Sequence, residues 1–234
     1  MLKNPNELAN DLDLLESLEK ATLRFVVQAI HEFRQEAAEI FQNEKDLAQD
    51  IGEDVTREAL DRIGVSKVAQ RLFGKMDYKR ARYLFLPEFA IKQALFIDSK
   101  AEKNAEKVAR IQTSQISMRV RQIRQDADVD AAGELPTVVT VNGEDLLTTT
   151  IFVKYHYDPE QDRILRSITI AAIPNGMLQA RYNPTCQDGI WLAGPNAPTR
   201  GEPFRTRLSF EKLAGKAAWR VQTIQCQGPL VWQG

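Results

Sequence analysis

The chain has only two cysteines and two histidines in 234 residues. That is too few for a disulfide framework or a zinc site, and Cys186 and Cys226 suit a reducing, cytoplasmic setting. It lacks any apolar run longer than a few residues, which excludes a membrane-spanning helix. The start, Met1-Leu2-Lys3-Asn4-Pro5-Asn6-Glu7, lacks the apolar core of a signal peptide. Internal repeats and low-complexity tracts are missing too, which argues against solenoids and disordered arrays. What is there, 43% hydrophobic and 27% charged residues, is the make-up of a globular protein. The length suits one large domain or two small ones.

Net charge is also scarce, at −1, but it is unevenly spread. Residues 1–60 carry 6 basic and 14 acidic side chains; residues 61–125 carry 15 basic and 6 acidic; the rest carries 10 and 12. A phosphate backbone responds to local potential, so a basic middle segment on a near-neutral chain fits a nucleic-acid partner. A solvated charged surface is the competing reading.

The basic segment holds the most informative stretch, Gln93-Ala94-Leu95-Phe96-Ile97-Asp98-Ser99-Lys100. Four apolar residues lead into an acid, a spacer and a lysine. In a strand, residues i and i+2 share a face, so Asp98 and Lys100 point the same way. Tyr83-Leu84-Phe85-Leu86 before Pro87 reads as the end of a strand that starts near Asp77, with 87–91 as the connection. Adjacent strands would then bring Asp77 to Asp98. Two carboxylates for a hard cation and one ammonium are the minimum set for metal-assisted phosphodiester cleavage. Ordinary acids at strand ends, paired with nearby cations, are the alternative.

Periodicity predicts one long helix over 12–43, capped by Asn10 or Asp11. A second helix is expected over 54–62 with Asp54 as N-cap, and a third over 66–73. Residues 101–115 read as a helix rich in Lys and Arg, and 126–136 as a surface loop. Strands follow at 148–157, 164–173, 205–210 and 219–226, the first two joined by a turn at 158–162. A long segment rich in proline and glycine spans 175–202, and long loops inside a domain are more often functional than idle. The expected class is α/β, a single domain over 1–234 with N-terminal helices and a central mixed sheet. Residues 1–75 are mainly helical, 76–115 hold the strand pair and its helix, and 137–226 are β-rich with a loop at 175–207.

Several landmarks together carry a family resemblance. They are Leu15-Glu16-Ser17-Leu18-Glu19-Lys20 with Thr22-Leu23-Arg24; Met76-Asp77-Tyr78-Lys79-Arg80; Ile97-Asp98-Ser99-Lys100-Ala101; Ser114-Gln115-Ile116-Ser117-Met118; Thr150-Ile151-Phe152-Val153; Arg181-Tyr182-Asn183-Pro184; and Thr199-Arg200-Gly201-Glu202. In this order and spacing the chain resembles the SfiI-type restriction endonucleases of the PD-(D/E)xK nuclease superfamily, from about Leu15 to Trp219. The resemblance implies a restriction-endonuclease-like domain that cuts double-stranded DNA with Mg²⁺. Asp77, Asp98 and Lys100 would be the catalytic residues, and Asp77, Asp98 and the Ser99 carbonyl the metal ligands. The superfamily's proline before the first acid is here Met76, a position that carries no chemistry. The resemblance further implies a G·C-rich interrupted palindrome, cut within its spacer, and hence a homodimer or homotetramer.

Arginine pairs bidentately with guanine and glutamate accepts from the cytosine amino group. Arg200 and Glu202, two residues apart after Asn196 and before Arg205 and Arg207, are the expected base readers. An exposed Arg–Glu pair of little consequence is the plainer reading. Lys103, Lys107 and Arg110 are expected on phosphates. Glu53 or Asp54 is a candidate auxiliary acid, with helix capping as the alternative. Three rival functions stand beside restriction: a less specific PD-(D/E)xK repair nuclease, a non-catalytic DNA-binding protein, and a globular protein whose basic segment is merely solvated.

Overall fold

A single carboxylate starts the first helix: Asp11 accepts from the Leu14 N–H at 3.0 Å and caps α1 (Leu12–Glu32). Leu15, Leu18, Thr22, Val26 and Ile30 recur along it every three or four residues, and all are buried. The computed structural model describes residues 2–44, 48–64, 81–103, 107–160, 163–193 and 206–234. The single helix expected over 12–43 is two, because Phe33 interrupts it and α2 (Arg34–Asn43) follows. At the break, Arg34 Nη1 donates to the His31 carbonyl at 2.6 Å, a side chain capturing a carbonyl of the last turn. Phe33, Ala37 and Phe41 nevertheless stay in the same apolar cluster as α1.

The third helix, α3 (Ala48–Arg62), starts six residues before Asp54. Asp54 therefore lies inside it, paired with Arg57 at 2.7 Å on an exposed face, and does not cap it. The helix expected over 66–73 lies outside the described residues. The strands are β1 (Arg82–Leu86), β2 (Ile91–Glu102), β3 (Val108–Ile111), β4 (Val120–Arg124), β5 (Ala127–Ala131), β6 (Val138–Val141), β7 (Glu144–Asp158) and β8 (Ile164–Ile173). The short α4 (Gln179–Tyr182), β9 (Thr206–Ser209), α5 (Phe210–Lys216) and β10 (Val221–Gln225) complete the chain.

The central sheet runs β1-β2-β7-β8-β10, with β6 paired to the start of β7. Among the described residues only the β2–β7 pair is parallel, which makes the sheet mixed, as expected. The α/β class and helices-first order also hold. Helices α1 to α3 cover one face, where Leu23, Val27 and Ile30 of α1 meet Ile151 and Val153 of β7 and Ile168 and Ile170 of β8. On the other face Phe152 and Ala171 pack with Trp191, Leu208, Phe210 and Leu213.

Two stretches differ from expectation. The described residues of 101–115 form no α-helix: β2 continues to Glu102, paired there with His156, β3 pairs β9, and Thr113–Gln115 make a single 3-10 turn. Lysine and glutamate favour helix locally, but buried Ala109 and Ile111 alternate at the spacing of a strand, and sheet pairing outweighs propensity. Residues 127–131 of the expected loop form a hairpin with β4, turned at Gln125 and Asp126 with φ of 49° and 60°.

Candidate active site

Pleating of β2 sorts its last residues to two sides. Ser99 faces the helices, where its hydroxyl donates to Thr56 Oγ1 of α3 at 2.8 Å. Thr56 in turn lies 2.7 Å from the Tyr155 hydroxyl and donates to the Gly52 carbonyl at 3.1 Å. Burial pushes the Tyr155 phenol up, with the Thr56 hydrogen bond acting against it, so it stays neutral. Asp98, Lys100 and Glu102 alternate with Ser99 and take the other side.

On that side the acid and the lysine meet as the spacing predicts. Lys100 Nζ lies 3.4 Å from Asp98 Oδ2 and donates to the Arg110 carbonyl at 2.5 Å. Its ammonium also lies 5.8 Å from the centre of the Phe152 ring. The Asp98 side chain is 2% exposed, that of Lys100 26%. The site thus opens at the amine, with the carboxylate at its floor. Asp77, the second expected acid, lies outside the described residues.

Two further charged residues complete this face. Parallel pairing puts Lys154 of β7 in register with Lys100 and His156 with Glu102. Lys154, 3% exposed, holds Glu102 at 2.7 Å, and Glu102 holds the Arg110 guanidinium at 3.0 Å. Sequence reasoning missed both Glu102 and Lys154. The signals were a third charged residue in the Asp98, Lys100 alternation, and a lysine inside the apolar run Ile151-Phe152-Val153-Lys154-Tyr155.

Among the described DNA-binding candidates, Arg110 and Arg207 face each other in the β3–β9 pair. The Arg207 Nε is buried and makes no hydrogen bond among the described residues. Lys103 and Lys107 are exposed at the ends of β2 and β3, close to the site in sequence and at the surface. Asn196, Arg200, Glu202 and Arg205 lie outside the described residues.

The segment leading toward them is anchored on the β4–β5 hairpin. Asn183 Nδ2 and Trp191 Nε1 both donate to the Arg119 carbonyl, at 2.8 and 3.3 Å. Arg121 Nη1 donates to the Pro184 carbonyl at 2.6 Å. Gly189 is needed here, since a Cβ would come within 2.2 Å of Asn183 Oδ1.

Mg²⁺ prefers carboxylate, carbonyl and water oxygens. The Asp98 carboxylate and the Ser99 carbonyl match that preference, beside an amine. Among the described residues no three His, Cys, Asp or Glu side chains form a metal cluster.

An acid-x-lysine strand end in a mixed sheet, backed by helices and flanked by a basic ribbon, defines a nuclease-like class of site. A family description, "Type II restriction enzyme SfiI", matches residues 21–224. Over 232 residues the chain is 34% identical to the type II restriction enzyme SfiI of Streptomyces fimbriatus, covering 91% of this chain and 85% of that protein. The crystal structure of tetrameric SfiI bound to cognate DNA superposes with a TM-score of 0.83 at 30% identity, over all of this chain and 91% of that one. The restriction endonuclease BglI, bound to its DNA recognition sequence, gives a TM-score of 0.73 at 15% identity over 96% and 95% of the two chains, a likeness of fold alone. The chain belongs to the SfiI family of type II restriction enzymes.

Proposed function

We propose that this type II restriction endonuclease makes Mg²⁺-dependent double-strand cuts at a G·C-rich interrupted palindrome, with Asp77, Asp98 and Lys100 as its catalytic residues. The observation that carries the reading is the Asp98–Lys100 pair, 3.4 Å apart at the end of a buried strand. β1 supports the place of Asp77. It runs antiparallel to β2 with Arg82 opposite Leu95, so the chain five residues after Asp77 enters the sheet from the end of β2 that bears Asp98.

Asp77, Asp98 and the Ser99 carbonyl would hold Mg²⁺, which when bound acidifies water and offsets charge on the phosphate. Lys100, fixed by the Arg110 carbonyl, orients the attacking water and faces the negative charge that builds in the transition state. The 2% exposure of Asp98 keeps bulk water from its carboxylate, which strengthens every charge interaction there. Arg110, Lys103 and Lys107 bind backbone phosphates, while Asn196, Arg200, Glu202, Arg205 and Arg207 form the base-reading segment.

A palindrome read by one chain per half-site needs two-fold symmetry, so the working form is a homodimer or homotetramer. The tetrameric, DNA-bound state of SfiI favours the tetramer. Digestion of a random plasmid library with Mg²⁺, followed by sequencing of the fragment ends, tests the reading. Discrete fragments whose ends share one interrupted palindrome are expected. A smear would make this chain a nuclease of little sequence preference.

A further inference from the structure

Behind the proposed catalytic lysine stands a carboxylate that touches neither that lysine nor solvent freely. Glu102 shares a face of β2 with Asp98 and Lys100, its side chain is 15% exposed, and both its oxygens are engaged. Lys154 takes Oε2 at 2.7 Å and Arg110 Nη1 takes Oε1 at 3.0 Å. Arg110 is the residue whose carbonyl accepts from Lys100 at 2.5 Å. A continuous chain of contacts thus runs from Lys154 through Glu102 and Arg110 to Lys100.

We propose that Glu102 is a positioning residue for DNA cleavage: by clamping the Arg110 guanidinium it fixes the backbone carbonyl that aims Lys100, with buried Lys154 as its counter-ion. The proposal rests on the reading of Lys100 as catalytic. Three features of the geometry favour positioning over plain packing. β3, which carries Arg110, is a four-residue strand paired with four-residue β9, so a side-chain tie adds substantially to its fixation. The tie is made at the same residue that holds the lysine. A buried ion pair such as Lys154–Glu102 is also a poor device for stability alone, because desolvation of both charges offsets their attraction.

Glu102→Gln removes the charge and keeps the shape. Its single-turnover cleavage with Mg²⁺ should fall about 10- to 100-fold. The Mg²⁺ concentration for half-maximal rate should stay unchanged, and DNA affinity in chelator should not fall, since the change removes only a negative charge beside Arg110. The change also takes the 2.7 Å counter-charge from buried Lys154, so the unfolding temperature should drop. The double variant Glu102→Gln/Lys154→Met removes that buried charge as well. It should recover the unfolding temperature and still cleave slowly, because the charged tie from residue 102 to Arg110 is still missing.

Recovery of both stability and rate in the double variant would show a purely structural pair and overturn the proposal. So would a Glu102→Gln rate within twofold of wild type, or a raised Mg²⁺ requirement, which would make Glu102 a metal ligand. If Glu102→Gln does not fold, the double variant alone decides by its rate. Lys100→Ala is measured in parallel: wild-type cleavage by that variant removes the catalytic reading itself, separately from the role of Glu102.

Discussion

Ser99 donates its hydroxyl to Thr56 at 2.8 Å, on the side of β2 opposite Asp98 and Lys100. The strand that carries the candidate site is therefore fastened to α3 between the two proposed catalytic residues, Asp98 and Lys100. Thr56, 3% exposed, is the hub, since it accepts from Ser99, lies 2.7 Å from the Tyr155 hydroxyl and donates to Gly52. Thr56→Val would leave two buried hydroxyls without this partner and should cost about 1–3 kcal/mol. Thr56→Ser keeps the hub and should lose less than the valine variant. Chemical denaturation of both variants checks the order, and equal losses would contradict it.

A second fastening lies under the loop that leads toward the proposed base-reading segment. Arg220, fully buried, holds Glu19 at 2.7 Å and lies 4.2 and 4.3 Å from the ring centres of Tyr182 and Trp219. Glu19 accepts in turn from the Asn175 N–H at 2.8 Å, and the Asn175 side chain donates to the Thr137 and Thr148 carbonyls. Burial pushes the neighbouring Tyr182 phenol up to about 12. Removing Arg220 leaves the buried Glu19 without its counter-ion, and removing Glu19 leaves Arg220 only the more distant Glu16 at 3.7 Å, so Glu19→Gln or Arg220→Met should cost about 3–5 kcal/mol. Replacing both with apolar residues should cost less than the two single losses added together. Equilibrium unfolding of the four proteins in a double-mutant cycle gives the coupling.

Asp130 supplies a pH dependence with a defined sign. Burial raises its carboxyl, but hydrogen bonds from Arg119 at 2.7 Å and Arg121 at 3.2 Å outweigh that and hold it below the usual 3.8. A lowered acid contributes stability above its ordinary value and loses it as pH falls through the lowered one. The side chain is 41% exposed, so solvent screening keeps the contribution under about 1 kcal/mol. The stability gap between wild type and Asp130→Asn should be present at pH 6 and close below pH 4. A gap that widens in acid would contradict the assignment.

Contacts to phosphate leave a salt signature. Lys107→Ala should weaken binding to all DNA sequences alike and reduce the salt slope by about 1. Affinity titrations at several salt concentrations, in chelator, read both. A loss confined to one sequence would make Lys107 a base reader instead.

Local pattern made part of this fold legible. A run rich in β-branched residues after a bounding turn placed β8 at 164–173, and the apolar run ending in Asp98-Ser99-Lys100 placed the candidate site on a strand. What could not be read depends on partners distant in sequence. β3 becomes a strand because β9, about a hundred residues later, pairs with it. Glu19 is buried because Arg220 and Asn175 meet it from far along the chain. Lys154 was overlooked for the same reason: nothing near it in sequence says that β7 lies beside β2 in parallel, with Lys154 level with Lys100. The break at Phe33 follows from one side chain taking one carbonyl, which periodicity does not encode.

The most direct test of the central claim is plasmid cleavage by wild-type protein and Asp98→Ala, each with Mg²⁺ and with chelator, alongside a binding assay on the same DNA. Wild type should give discrete fragments with Mg²⁺ only, and Asp98→Ala should bind the DNA and leave it intact. Cleavage by Asp98→Ala at the wild-type rate, or wild-type fragments formed in chelator, would contradict the account.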